Sequence, residues 1–140
     1  MSKGSRPTLF LMEQNIVITV FAICAAVCIK IMLEAYIVTV NAVDTKNALL
    51  AAESAAESHK VYAGDSEVIA EILGGYAQGN NAVIVYFDSY WRPCISHRAS
   101  YILLLSQSRE ELIIFSNIRV DRLTDGIELV RLNVAARRQH

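Results

Sequence analysis

The chain has few residues that break helices. It holds two prolines and six glycines in 140 residues. Proline is absent from Thr8 to Arg92 and glycine from Ser5 to Ala63, so nothing in that stretch interrupts a helix. Charge is scarce as well, at 19% of residues, against about 25% in soluble domains. Thirteen Lys and Arg stand against fourteen Asp and Glu, a net charge of −1. That balance gives neither the basic field that nucleic acid requires nor an acidic tail. Of three cysteines only Cys94 lies beyond the apolar N-terminal segment, which excludes an internal disulfide in the remainder.

Motifs for chemistry are equally sparse. There is no phosphate-binding or dinucleotide glycine pattern and no G-x-S-x-G. Cys94 and His97 form a C-x-x-H pair, but no second pair stands at ligand spacing, and His59 and His140 are isolated. Gly64-Asp65-Ser66 reads as helix punctuation. No catalytic residue, metal site or cofactor is assigned, and the chain reads as non-enzymatic.

What is plentiful is apolar surface: 54% of residues are hydrophobic and the mean hydropathy is +0.33. This excludes a disordered chain, and the length suits one domain. The excess is concentrated between Leu9 and Leu33, where only Glu13 and Lys30 are charged. As a helix those residues reach about 37 Å, enough to cross a hydrocarbon core of about 30 Å. Residues 1–8 are a short basic leader with Lys3 and Arg6 and no acid. Its charge places the N-terminus in the cytoplasm and the rest of the chain outside a cell membrane crossed once. The apolar run passes straight into a helical pattern, so it reads as a retained anchor and not as a cleaved secretory signal. Cys24 and Cys28, spaced i and i+4, share a face beside Ala25 and Ala26 where another helix can approach. Glu13 sits inside the apolar run. Either it lies at headgroup depth or it pairs with a cation of a neighbouring helix.

The helical pattern continues to about Lys60. Ile37, Val40, Ala48, Ala51, Ala52 and Ala55 fall on one face, and Lys46, Glu53, Glu57 and Lys60 on the other. Gly64 ends this helix. Asp65 or Ser66 caps a short one over Glu67–Leu73, and Gly79-Asn80-Asn81 is a turn. From Ala82 the period becomes two. Strands are predicted over residues 82–88, 98–106, 111–120 and 127–135, the last with its alternation broken at Arg131. The expected fold is α+β: a long N-terminal helix, membrane-spanning over residues 9–33 and amphipathic above, packed on a small antiparallel sheet of about four strands. Residues 34–140 form the outer domain. Its exposed aromatic loop, with Tyr90, Trp91 and Cys94, is the candidate partner-binding loop, while alternation assigns Phe87 to the core.

The run Thr8-Leu9-Phe10-Leu11-Met12-Glu13, behind a basic start and ahead of an apolar helix, resembles the N-terminus of type IV pilins, pseudopilins and competence pilins. The resemblance implies a structural subunit of a type IV pilus, competence or secretion apparatus. Such a subunit assembles through its N-terminal helix, with other pilin-like subunits and membrane assembly proteins as partners. It places the protein in the lipid bilayer and, after assembly, in a pilus or pseudopilus. Glu13 takes the position of the family's helix glutamate, which meets the N-terminal amine of a neighbouring subunit. Processing by a prepilin peptidase would fall between Thr8 and Leu9, or after Gly4. Family leaders usually end in glycine, and Gly4 stands nine residues before Glu13, a departure from the pattern. The competing expectation is a single-pass membrane-anchored binding or sensory protein that recognises a ligand through the Tyr90-Trp91 loop.

Overall fold

A computed structural model describes residues 5–137. Helix α1 runs without interruption over Ser5–Val61. Pro7 falls in its first turn, where a missing N–H costs nothing, so the helix begins ahead of the expected Leu9. Helix α2 spans Ser66–Leu73. The strands are β1 (Tyr76–Gln78), β2 (Ala82–Phe87), β3 (Tyr101–Arg109), β4 (Ile113–Arg122) and β5 (Glu128–Arg137). They pair antiparallel in the order β1-β2-β3-β4-β5, a simple meander.

The chain divides into two compact units between Ala42 and Val43. In the first, α1 is exposed along its whole described length save Ala25. Its hydroxyls satisfy themselves: Thr19 and Thr39 donate to the carbonyls of Asn15 and Ala35, four residues back. An 18-residue window of this helix has a mean hydropathy of 2.7, so α1 is long and apolar enough to cross a membrane.

In the second unit α1 packs on the sheet. Its buried stripe is Ala48, Ala52, Ala55, Ala56 and His59. Alanines bring the helix close to the strands, whose inner face carries the bulk: Val83, Val85 and Phe87 from β2, Tyr101, Leu103 and Leu105 from β3, and Ile118 and Val120 from β4. Ile37 and Val40, expected on the same stripe, are exposed instead, because they precede the compact unit. Ala51 is partly buried against the core as expected.

Helix α2 is capped by Asp65, whose side chain accepts from Val68 N–H. It ends at Gly74, in the left-handed conformation with φ 72°. Gly75 allows close approach to β2: a Cβ there would collide with the Ile84 carbonyl and lie 2.6 Å from Val85 Cγ2.

The sheet has five strands where about four were expected. The added one, β1, is three residues long, too short for a period-two signal. The others are shifted by up to three residues. Residues Ser96–Arg98 form a 3-10 turn, so β3 starts at Tyr101. At Arg131 no break occurs. The irregularity is a bulge opposite Val120/Asp121, where Asp121 pairs with Glu128 and Val120 with Val130. Leu129 is the extra residue, and Arg131 follows in register opposite Arg119.

Candidate functional site

The residues singled out by sequence fall into two groups on different units. The first lies on the N-terminal part of α1. Glu13, Cys24 and Cys28 are all exposed there. Glu13 and Cys24 are eleven residues apart, three turns of an unbroken helix, so they lie on the same face. Cys28 and Ala35 extend that face. It therefore carries a carboxylate and, between Val20 and Ile31, the small side chains of Cys24 and Cys28, where a second helix can approach. Of the processing candidates, Thr8 and Leu9 lie inside α1, and Gly4 lies outside the described residues.

The second group is the β2–β3 loop. Asp88 organises it: its carboxylate accepts from the backbone N–H groups of Tyr90 (2.9 Å) and Arg92 (3.0 Å). The turn forces Trp91 to a positive φ of 59°, an uncommon conformation for a bulky residue. What holds it there is packing. The indole stacks on Tyr101 with ring centres 3.9 Å apart and 19° between planes, and it meets Phe87 at 5.8 Å. Trp91 is thus half-buried and extends the core. Tyr90 is 79% exposed, with the Arg92 guanidinium 5.9 Å from its ring centre. Cys94 is half-buried, and its backbone N–H donates to the Tyr86 carbonyl. Burial first, then Asp88, raises the Cys94 thiol above its ordinary pKa, against a weaker pull from Arg98. That is the opposite of an activated nucleophile.

Beneath Trp91 lies an ion pair that sequence reading missed. Asp44 of α1 accepts from Tyr101 Oη at 3.0 Å and from Arg122 Nη2 at 2.7 Å. Arg122 also binds Asp125 at 3.0 Å. Both partners of the Asp44–Arg122 pair are about 15% exposed or less, so it is screened far less than a surface pair. Asp125, tied first by the Ile127 N–H and then by Arg122, has a lowered pKa. The pairing spans 78 positions of sequence, and no local pattern announces it.

His59 was missed for the same reason. It is fully buried between α1 and the sheet. Its Nε2 faces the Ile114 carbonyl at 3.3 Å, and its Nδ1 faces Ser116 Oγ at 3.0 Å and Gln107 Nε2 at 3.4 Å. With the proton on Nε2, the ring donates to Ile114 and accepts from Ser116. Burial lowers its pKa, with the Ile114 carbonyl acting the other way. This Ser-His-Gln cluster has no exposed member to meet a substrate; it pairs polar groups within the core, Gln107 Oε1 excepted.

Ser96 and His97 line a shallow concavity of about 490 Å³ with Tyr76, Ile84, Tyr86 and Ile95. Among the described residues no carboxylate lines it. Among the described residues no three His, Cys, Asp or Glu side chains gather as metal ligands. Comparison with known protein families, curated proteins and solved structures gives no match.

Proposed function

We propose that the chain is a structural, pilin-like membrane subunit that assembles laterally through the N-terminal half of α1, with the sheet domain displayed outside the cell. The observation that carries this reading is the division of labour along one unbroken helix. Its first part exposes large apolar side chains and, inside the apolar run, the Glu13 carboxylate, and its second part is the alanine-lined support of an antiparallel meander. An exposed apolar helix is stable only in lipid or against other helices. Glu13, on one face with Cys24, Cys28 and Ala35, supplies what such packing needs: a charge that seeks a partner when buried, and small residues that let a helix come near.

The test is recovery of partners. Native membranes are solubilised and the chain is captured through a C-terminal tag. Glu13→Ala is expected to lose the other pilin-like subunits while the sheet domain stays folded. Undiminished recovery would contradict the proposal. The intact mass and N-terminal sequence of the captured chain then report whether it is cut after Thr8 or after Gly4. The single-pass receptor reading draws support from the exposure of Tyr90. The stacking of Trp91 on Tyr101 counts against it, since it leaves Tyr90 as the side chain of that pair free to meet a ligand.

A further inference from the structure

The proposed function makes no use of one buried titratable group. His59 stands near the end of α1 at Val61 and is fully enclosed. It is the polar member of the stripe that α1 buries in the unit after Val43, beside Ala48, Ala52, Ala55 and Ala56. Alanine holds the sheet by contact alone, which does not respond to pH. His59 holds it by hydrogen bonds, to Ile114 and Ser116 of β4 and to Gln107 of β3.

Those bonds suit one protonation state. The neutral ring donates from Nε2 to the Ile114 carbonyl and accepts at Nδ1, where Ser116 Oγ and Gln107 Nε2 can donate. An added proton makes Nδ1 a donor facing the Gln107 NH2 group, which is also a donor. Turning the Gln107 amide would present Oε1, which is buried without a partner, but would leave the NH2 group unpaired in its place. Ser116 can turn to accept, and its hydroxyl then no longer donates to the ring. Neither change supplies a counter-charge. The charged side chains on the surrounding elements are exposed: Glu57 and Lys60 on α1, Asp65 after it, Arg109 on β3 and Arg137 on β5. Glu57 pairs with Lys60 at 3.5 Å, and β4 carries no charge from Ile113 to Ile118. Among the described residues the ring's partners are Ile114, Ser116 and Gln107, with no carboxylate. A buried imidazolium here is an unpaired charge, which strongly favours opening to water.

Ties that do not titrate bound the opening. Past α1, Arg109 donates to the Gly64 carbonyl at 2.9 Å and to the Asn80 carbonyl at 3.3 Å. Before His59, Ala52 and Ala55 are fully enclosed against the sheet. Residues 56–62, about two turns, lie between. We propose that His59 is an acid-released latch: proton uptake frees the last turns of α1 from β3 and β4 while the rest of the core stays closed. The device lies wholly in the unit after Val43 and goes beyond the assembly reading, so the two stand or fall separately.

The test is amide hydrogen exchange of the full chain in detergent micelles at pH 7.5 and pH 5, with labelling times scaled to the intrinsic exchange rate. A solvated histidine titrates at about pH 6.5. Protection of residues 56–62 is therefore expected to fall by up to about tenfold for each pH unit below that value, while Ala82–Phe87 of β2 keeps its protection. His59→Gln should show no such acid loss. Gln107→Glu, which sets a carboxylate beside Nδ1, should keep residues 56–62 protected at pH 5, and it guards against a His59 variant that folds poorly. Equal protection of residues 56–62 at both pH values in the unaltered chain would overturn the proposal, as would a loss shared by Ala82–Phe87. An acid loss of undiminished size in either variant would overturn it too.

Discussion

The two parts of α1 share one backbone and differ in side-chain size. Before Val43 the helix is rich in isoleucine, valine, leucine and phenylalanine, and these are exposed all round. After it the inward stripe shrinks to alanine and the sheet supplies the volume. A helix that meets a sheet of large side chains must be thin on the contact face, because interiors are filled to crystal-like density. A helix that meets lipid has no such constraint and needs only length and apolarity. Side-chain size along α1 therefore fits the proposal of lipid around its first part and matches the sheet against its second.

This contrast can be broken from either side. The largest effect is expected in the core. Leu103→Ala empties a fully buried site and should cost about 2–5 kcal/mol, read as a lower urea midpoint of Trp91 emission. Ile18→Ala, in the exposed half, should leave that midpoint unchanged. The reverse experiment is Val20→Arg. It should oppose insertion by about 2.5–3.5 kcal/mol, seen as a smaller fraction floating with vesicles, while the unfolding midpoint stays put.

A smaller loss is expected at the ion pair. Asp44→Asn weakens the hold on Arg122 and Tyr101 and should cost about 1–3 kcal/mol in the same titration. Because Asp125 still binds Arg122, the loss should stay below that of Leu103→Ala.

The smallest effect is a pH dependence from His59. Its folded-state pKa is lowered, so the unfolded chain takes up the proton first. The stability that the neutral ring provides is complete above the unfolded value, about pH 6.5. It is lost as pH falls from there through the folded value. His59→Gln removes that titration, so its urea midpoint should fall less between pH 7.5 and pH 5 than that of the unaltered chain.

The parts of the fold that local pattern encodes were legible. The length of α1 followed from the absence of proline and glycine, and β2 followed from the alternation of Val83, Val85 and Phe87. The meander followed from short turns between strands. What escaped was either too short to have a period or set by distant partners. Three residues cannot display alternation, so β1 went unread. The bulge at Leu129 passed for a disruption at Arg131, because one extra residue reverses the face of everything after it. At the candidate loop, Tyr90 and Trp91 look alike in sequence. Only Tyr101, ten residues further on, decides that one faces inward and the other outward. His59 and Asp44 are polar residues on a helix, and their burial depends on Ser116 and Arg122, which lie more than fifty positions away.

On the proposed reading the first part of α1 is held by lipid and the second by the sheet. Carbonate extraction at alkaline pH in the presence of urea, applied to the full chain in phosphatidylcholine vesicles, tests it most directly. The expected result is a chain that stays with the floated vesicles although its Trp91 emission shows the outer domain unfolded. Release of the chain into the soluble fraction as the domain unfolds would contradict the account.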